Sequence, residues 1–298
     1  MSDFRLKVFQ SVAKNLSFTK ASQELFVSQP AITKHIQELE AAYQTRLFDR
    51  QGSRISLTEA GKLLLEHCER ILEDYKRLEY EMHLLHNEYT GGLKLGASTT
   101  VAQYVLPPLL ASFIGKFPHV NLSLLNGNSR EIEAALQEHR IDLGFVEGVF
   151  RLPNIKYTTF LKDELVAVVR TGSKLAIGEE ITPEELLHLP LVLRERGSGT
   201  LDVFERALQQ HNIKLSSLQV LMYLGSTESI KLFLEHTDCL GIVSVRSITR
   251  ELYSGQLRVV EIKGMPMLRD FSFAQPQGQE SGLAQVFMQF AMHNNHKL

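Results

Sequence analysis

Residues 15–58 constrain the fold of this chain most. Several short elements are predicted there in close succession, which leaves room only for a small helical module. Apolar residues recur at helical spacing in two short segments, and a third helix is expected to begin at Ser28-Gln29-Pro30. Ser28 is suited to cap that helix, and Pro30 is suited to its first turn, where a missing N–H costs nothing. A hairpin follows, with a turn at 51–53. This order predicts a winged helix-turn-helix, which places one helix in the major groove of DNA.

The third helix of this head has one apolar and one polar stripe. Its buried stripe is predicted to contain Ile32, Ile36, Leu39 and Tyr43. Exposed polar residues near a helix start suit base readout, since glutamine can read adenine and threonine offers a hydroxyl and a methyl group. Lysine and arginine contact phosphates or the minor groove. The alternative is an ordinary solvated helix face. The candidate DNA-binding residues are Ser28, Gln29, Pro30, Thr33, Lys34, Gln37 and, on the hairpin, Arg50 and Arg54.

Charge is distributed unevenly along the chain. The net charge of the 298 residues is −2, which by itself disfavours a nucleic-acid binder. Residues 1–58, however, hold eight Lys and Arg against five Asp and Glu, so they carry +3 and the remainder carries −5. A small basic head on an acidic body is consistent with a DNA-binding module joined to a regulatory one.

Residues 59–90 predict one long helix with a heptad pattern. No proline occurs between Glu59 and Tyr89, and the first apolar series has a spacing of seven, at Leu64, Ile71, Leu78 and Leu85. A second series follows four residues after each of these, at Cys68, Tyr75, Met82 and Tyr89. Such a narrow seam is typical of a two-helix coiled coil and therefore of a homodimer. The alternative is a surface helix packed on its own domain.

The remaining residues predict two α/β lobes. A β-α-β-α-β rhythm, which indicates a parallel sheet, has its strands at 93–97, 121–125 and 141–148. A second round has strands at 164–169, 190–195, 218–224 and 239–244, and a capping box at Thr182–Glu185 that is expected to open a helix. The final strand at 271–274 and a helix at 283–292 are expected to return to the first lobe.

Hydroxyl-rich helix starts follow three of these strands, at Ser98-Thr99-Thr100, Ser198-Gly199-Thr200 and Ser226-Thr227. Ligands of open α/β sheets bind at the carboxyl ends of strands, and helix N-termini attract small anions. Taken singly, each Ser or Thr is explained by a plain helix cap; together they favour a ligand cleft. The sequence contains no nucleophile elbow, phosphate-binding loop or metal-ligand pair, so we expect no catalysis, no metal and no cofactor.

With these features in place, the whole chain resembles a LysR-type transcriptional regulator. The resemblance is carried by the head motif SFTKASQELFVSQPAITKHIQELEAAYQTRLFDR…LTEAG at 17–61, by the heptad helix and by the two-lobed body. It implies an α+β multidomain fold: a winged helix-turn-helix at 1–58, a dimerising linker helix at 59–90 and a periplasmic-binding-protein-like effector domain at 91–298. Lobe I would comprise 91–161 and 268–298, and lobe II 162–267.

The resemblance also implies an effector site. Its positions are Ser98, Thr99, Thr100, Asn128, Glu147, Arg196, Gly197, Ser198, Gly199, Thr200 and Thr227. The segments ASTTVAQYVLPPLL, GNSREIE and RERGSGT are most similar to members that control sulfur assimilation or carbon fixation, whose effectors are small anions or phosphorylated metabolites.

We therefore expect an effector-responsive regulator that binds double-stranded DNA and forms dimers or, as in many family members, tetramers. RNA polymerase is a further candidate partner. No apolar run is long enough to span a bilayer and no signal peptide is evident, so we expect no membrane association and a cytoplasmic location. An exported solute-binding protein and an enzyme that uses the cleft are the alternatives.

Overall fold

A computed structural model of the chain describes residues 4–51, 54–86, 89–148, 151–175, 178–277 and 282–295. The chain divides into two compact units, Met1–Asn87 and Glu88–Leu298. No helix in the described part is both long enough and apolar enough to cross a membrane.

The described part of the N-terminal unit contains four helices and one hairpin. In chain order these are α1 (Phe4–Asn15), α2 (Phe18–Glu24), α3 (Gln29–Tyr43), β1 (Phe48–Gln51), β2 (Arg54–Leu57) and α4 (Glu59–His86). The two strands pair antiparallel, with Gln51 opposite Arg54. The predicted turn residues Gly52 and Ser53 lie outside the described residues. The winged helix-turn-helix expected from the sequence is therefore present in its helices and its hairpin strands.

An apolar core holds this unit together. The Phe48 ring on β1 lies 5.5 Å from that of Phe9 and 5.9 Å from that of Phe18, so the hairpin is packed against α1 and α2. Ile32, Ile36 and Leu39 are buried as predicted. Tyr43, however, is 56% exposed, because α3 ends there and Gln44 turns the chain in a left-handed conformation, one turn beyond the core.

The heptad of α4 divides into two parts. Cys68 is fully buried in the core of its own unit together with Leu72, and its thiol donates to the Leu6 carbonyl at 3.3 Å. Farther along, Ile71, Leu78 and Met82 remain exposed on the chain taken alone. Tyr89 lies beyond the helix and packs edge-on against Phe117 of the C-terminal unit, and the Leu85 side chain lies outside the described part. Within the heptad, Cys68 thus packs in the core of its own unit, whereas Ile71, Leu78 and Met82 leave an apolar surface uncovered.

The C-terminal unit begins with β3 (Gly91–Ser98), α5 (Thr99–Tyr104), α6 (Leu106–Lys116), β4 (Val120–Gly127), α7 (Ser129–Gln137), β5 (Leu143–Glu147) and β6 (Ile155–Arg170). It continues with β7 (Glu180–Ile181), β8 (Pro190–Arg194), α8 (Gly199–Gln210), β9 (Gln219–Leu224), α9 (Thr227–His236) and β10 (Leu240–Ser244). The last elements are α10 (Thr249–Tyr253), β11 (Leu257–Ile262), β12 (Met267–Pro276) and α11 (Leu283–Asn294).

Its strands form one sheet with two parallel ends. The main path is β4-β3-β5-β12-β6-β10-β8-β9, with β11 and β7 joined beside β6. Strand β3 pairs parallel with β4 and β5, and β8 pairs parallel with β9 and β10, as the β-α-β rhythm predicts. The long strands β6 and β12 pair antiparallel and join the two ends. They are the strands through which the chain passes from one lobe to the other.

The boundaries predicted between the lobes, after residue 161 and after residue 267, fall within these two strands. Their register shifts between Phe271 and Ser272, opposite Leu161 and Thr159. A bulge at this point bends the ladder where one lobe gives way to the other. The capping box at Thr182–Glu185 forms as predicted, but it opens only a short 3₁₀ turn, Glu185–His188, so the helix expected there is wrong.

Candidate DNA-binding face and effector cleft

The start of α3 presents the predicted polar face. Ser28 has extended backbone angles, and its hydroxyl accepts the Ala31 amide at 3.4 Å, so it caps the helix. Gln29, Pro30 and Lys34 are exposed, as are Ser28 and Gln37. Thr33 is half-buried, and its hydroxyl donates to the Gln29 carbonyl at 3.1 Å. This face is thus held in place by its own backbone and leaves its amide and ammonium groups accessible.

Lys34 is available for an anionic partner. Its side chain is 75% exposed and has only a loose ion pair with Glu38, at 4.0 Å. Exposed pairs of this kind are worth little. Arg50 and Arg54 lie on β1 and β2 of the hairpin, and their side chains are outside the described part. The structure therefore describes the side chains of the helix face, whereas at Arg50 and Arg54 it describes only the backbone of the hairpin.

In the C-terminal unit, strand ends bring most of the predicted effector residues together. Ser198 caps α8 by accepting the Leu201 amide at 3.2 Å, and Asn128 caps α7 in a reciprocal capping box with Glu131. Ser226 caps α9, whose first residue, Thr227, is buried. Ser98 precedes α5 but caps nothing, although it is only 1% exposed. The plain-cap explanation thus applies to Ser198 and Ser226 and fails for Ser98.

Glu147 is the centre of a buried network. Its Oε1 accepts from the hydroxyls of Thr100 and Thr200, each at 3.4 Å, and lies 3.2 Å from Arg269 Nη1. Arg269 also donates through Nη1 to Thr200 at 3.0 Å and through Nε to Asp163 at 2.7 Å. All five residues are buried. Buried charges persist only when they are paired and hydrogen-bonded, as here.

A second buried guanidinium, Arg194, lies beside this network. It is 1% exposed at the end of β8, donates from Nη2 to Thr99 Oγ1 at 3.3 Å and holds Glu195 through Nε at 2.8 Å. The sequence analysis named Arg196 instead, which is exposed. Neither Arg194 nor Arg269 was predicted. The signal for Arg194 is its position in PLVLR, because a strand that is buried on both faces also buries its last residue.

Glycines let the two lobes touch beside Glu147. A side chain at Gly199 would place its Cβ 2.3 Å from the Glu147 carbonyl oxygen, and one at Gly148 would meet the Gly199 Cα at 3.1 Å. Gly197 has a φ of +92°, and its carbonyl accepts the Arg130 amide at 3.3 Å. Backbone from the two lobes therefore meets at a distance that only glycine allows.

Tyr104 and Glu228 make a further contact between the lobes. The Tyr104 hydroxyl donates to the Glu228 carboxylate, and Lys231 lies 2.7 Å from that carboxylate and 5.4 Å from the Tyr104 ring centre. Burial and the hydrogen bond to Glu228 raise the pKa of Tyr104. Burial alone would raise the pKa of Glu228, but hydrogen bonds from Lys231 and Tyr104 hold it below its ordinary value. The contact is therefore a neutral phenol donating to an ionised carboxylate.

Unpartnered polar atoms are concentrated in this cleft. Among the described residues, the buried side-chain nitrogens and oxygens without a hydrogen-bond partner are Ser98 Oγ, Glu147 Oε2, Arg194 Nη1, Arg269 Nη2 and Glu251 Oε2. Glu147, Arg194 and Arg269 belong to the network described above, and Ser98 directly precedes Thr99, to which Arg194 donates. An unmade hydrogen bond of this kind costs about 1–3 kcal/mol. Such atoms are rare in native proteins, and each calls for an explanation.

A groove of about 450 Å³ extends from Arg269 along the crossing strands. Its charged lining comprises Arg151, Lys162, Arg206 and Arg269 against Asp163 and Asp270, an excess of positive charge. The groove and the cluster share Arg269, so the positively charged groove leads from solvent to the buried network.

Comparison with known proteins agrees with this geometry. Residues 4–62 match the model of the bacterial regulatory helix-turn-helix proteins of the lysR family, and residues 86–295 match the LysR substrate binding domain. YeiE of Escherichia coli, named an uncharacterized transcriptional regulator, is 34% identical over 258 residues, 87% of this chain and 85% of that protein. The transcriptional regulator CysL of Bacillus subtilis is 28% identical over 268 residues, 90% and 89% of the two chains.

Carbon fixation is represented among the relatives as well. The RuBisCO operon transcriptional regulator of Acidithiobacillus ferrooxidans is 30% identical over 287 residues, 96% of this chain and 92% of that protein. Among solved structures, the CcmR regulatory domain of Synechocystis in complex with 2-PG is 27% identical, with a TM-score of 0.62, and covers 68% of this chain and 97% of that one. The resemblance drawn from the sequence is confirmed, including its sulfur and carbon-fixation branches: this chain belongs to the LysR family of transcriptional regulators, with a DNA-binding helix-turn-helix and an effector-binding domain.

Proposed function

We propose that this regulator reads DNA with the start of α3 and the hairpin, and binds a small anionic effector between its lobes. The DNA-contacting residues would be Ser28, Gln29, Pro30, Thr33, Lys34, Gln37, Arg50 and Arg54. The effector residues would be Ser98, Thr99, Thr100, Asn128, Glu147, Gly197, Ser198, Gly199, Thr200 and Thr227. Arg194 and Arg269 join the effector site, and the exposed Arg196 would lie at its rim.

The observation that carries the effector site is the set of unpartnered buried atoms. Arg194 Nη1 and Arg269 Nη2 are donors, and Ser98 Oγ can donate as well. Hydrogen bonds from guanidinium groups to anions are short and strong. The related CcmR regulatory domain, solved in complex with 2-PG, supports a small anion in the same fold.

Effector binding would act through the contacts that cross the cleft. The bond between Arg194 and Thr99 and the bond between Tyr104 and Glu228 join the lobes, and β6 and β12 are the strands between them. A ligand shifts the lobe arrangement only if it binds one arrangement better than another. An anion that accepts from both Arg194 and Ser98 would favour the arrangement in which these groups converge.

A second copy of the chain would complete the regulator. The exposed part of the α4 seam, with Ile71, Leu78 and Met82, is suited to a coiled coil across a two-fold axis. The end strands of the sheet also expose apolar side chains: Leu124 and Leu125 on β4, and Leu221, Met222 and Tyr223 on β9. Residues 1–58, 59–90 and 91–298 would then act as head, linker and effector domain, in a dimer or tetramer on a roughly palindromic site.

The first test is a DNA-shift assay on the intergenic region upstream of the gene, with and without 2-PG or inorganic phosphate. The chain should shift this DNA, and the anion should change the affinity or the mobility of the complex. Replacing Thr100 and Ser198 together by Ala should abolish the anion response and leave DNA affinity unchanged. Thr182→Ala, which removes a cap outside the cleft, should respond normally.

Loss of DNA binding in a folded double variant would contradict the proposed division between head and cleft. A regulator acting at promoters in the cytoplasm would also meet RNA polymerase, and co-precipitation on promoter DNA would test that partner.

A further inference from the structure

The cleft contains a hydrogen-bond acceptor, the Glu147 carboxylate, as well as the donors Arg194, Arg269 and Ser98. Glu147 is buried, and a carboxylate can only accept hydrogen bonds. Its Oε1 is already occupied by Thr100, Thr200 and Arg269, whereas its Oε2 has no partner. Arg269 lies 3.2 Å from this carboxylate through Nη1, so an anion that lies against Nη2 of the same guanidinium comes close to a carboxylate oxygen that requires a donor. Arg194 joins the same place through Thr99, the neighbour of Thr100.

The carboxylates already present in the cleft increase the need for a ligand that donates a hydrogen bond to Glu147. Arg269 is paired with Asp163 at 2.7 Å and with Glu147 at 3.2 Å, and Arg194 is paired with Glu195 at 2.8 Å. The buried guanidinium groups are thus already matched by carboxylates before any ligand arrives. A fully deprotonated oxyanion would bring lone pairs against Glu147 Oε2 with nothing between them, which costs binding energy.

We infer that Glu147 selects for an oxyanion that carries its own proton, a singly protonated phosphate group, and rejects one without a proton, such as sulfate. The P–OH would donate to Glu147 Oε2, while the remaining phosphate oxygens accept from Arg194, Arg269 and Ser98. Phosphate keeps a proton near neutral pH and sulfate does not, although the two are close in size and shape. This inference rests on the proposed effector site and names the chemistry that the site would distinguish.

The experiment is calorimetric titration of the full chain with inorganic phosphate and with sulfate at matched ionic strength, at about pH 6 and at about pH 8. The wild type should bind phosphate at least tenfold more tightly than sulfate at both pH values. Inorganic phosphate keeps at least one proton throughout this range and sulfate keeps none, so the preference should persist as the pH rises.

Glu147→Gln tests the residue itself. Its amide can donate to a deprotonated oxygen, so sulfate should bind this variant within about threefold of phosphate. Glu235→Gln makes the same chemical change on an exposed position of α9 and should keep the wild-type preference. If E147Q does not fold, the wild-type comparison of phosphate with sulfate at the two pH values still decides the matter.

The outcomes separate the inference from the function on which it rests. Equal affinity of the wild type for sulfate and phosphate would overturn the role of Glu147 and leave the anion cleft standing. If neither anion binds to the wild type at either pH, the proposed anion site itself is overturned. A preference for phosphate that persists unchanged in folded E147Q would assign the selection to other residues.

Discussion

The DNA-binding face and the effector cleft place polar side chains in opposite surroundings. On α3, Gln29, Lys34 and Gln37 are exposed. Gln29 accepts only a long hydrogen bond from Thr19, at 3.4 Å, and the ion pair of Lys34 is 4.0 Å long. In the cleft, Glu147 and Arg269 are buried and share partners. Residues that stand alone on a surface can be exchanged at little cost in stability. Residues in a buried network bind a ligand and hold the fold with the same hydrogen bonds, so their two roles are coupled.

The strongest way to test this contrast is to remove the buried guanidinium, in Arg269→Met. The change leaves Asp163 and Glu147 without their cation, and breaking a buried pair from one side costs about 3–5 kcal/mol of the free energy of unfolding. Arg206→Met, an exposed arginine beside the same groove, should change stability by less than about 0.5 kcal/mol. Equal stability of the two variants would show that the network is not structural.

The two cysteines report on the two units separately. Burial raises the pKa of Cys68 in the N-terminal unit and of Cys239 in the C-terminal unit to about 11 each, so neither thiol reacts at neutral pH while it is buried. Thiol labelling in a urea series should show Cys239 of R269M reacting at lower urea than in the wild type. Cys68 should be unaffected, and a parallel shift of both would mean that the units do not unfold independently.

A smaller loss is expected from Gly199→Ala. The new Cβ would lie 2.3 Å from the Glu147 carbonyl oxygen, so the backbones that meet there must separate. Overpacking of this kind costs about 1–3 kcal/mol, and the anion affinity should fall with it because Thr200 moves away from Glu147. Gly225→Ala is the matched control, because this glycine also adjoins a capping serine, Ser226, but has nothing within 4 Å of its Cβ. Chemical unfolding and phosphate titration of both variants measure the difference.

The elements of the cleft could be predicted from the sequence, but its charges could not. Apolar runs and capping residues such as Ser28 and Ser198 depend on neighbours a few residues away, and these two caps form as predicted. The ion pair of Asp163 with Arg269 joins residues 106 positions apart. It exists only because β6 and β12 pair in one particular register, which no local pattern specifies.

The heptad of α4 shows a similar limit. Its spacing correctly predicted a long helix with an apolar seam, but spacing does not say which surface covers that seam. Cys68 belongs to the core of its own unit, whereas Leu78, in the same pattern, is 52% exposed. The periodicity of apolar residues shows that one face of the helix is apolar. It does not show what packs against each residue, because that depends on the tertiary structure.

Ser98→Ala should separate binding from stability inside the cleft. The Ser98 hydroxyl has no partner within the described residues, so its removal should change the free energy of unfolding by less than about 0.5 kcal/mol. Phosphate affinity should fall about tenfold, since a hydrogen bond to an anion is worth about 1.5 kcal/mol or more. Ser198→Ala, which removes the cap of α8, should instead cost about 1 kcal/mol of stability. A destabilised S98A with unchanged phosphate affinity would make Ser98 structural.

The smallest effect is expected on the DNA-binding face, from Lys34→Ala. Lys34 is largely exposed and its pair with Glu38 is loose, so folding stability should not change measurably. If Lys34 contacts a phosphate, the variant should bind every DNA sequence severalfold more weakly, and the slope of log affinity against log salt should fall by about one unit. Lys62→Ala, an exposed lysine on α4, is the control.

The same titrations on Gln29→Ala complete this comparison. A glutamine that reads a base edge should leave the salt slope unchanged and reduce the discrimination between operator and mutated operator, by about 1–3 kcal/mol at one base pair. A changed sequence preference in K34A, or a changed salt slope in Q29A, would exchange the roles assigned to the two residues. Because the side chains of Gln29 and Lys34 have different partners, the two losses should add in the double variant. Partners in the cleft that share hydrogen bonds, such as Thr200 and Arg269, should not show that additivity.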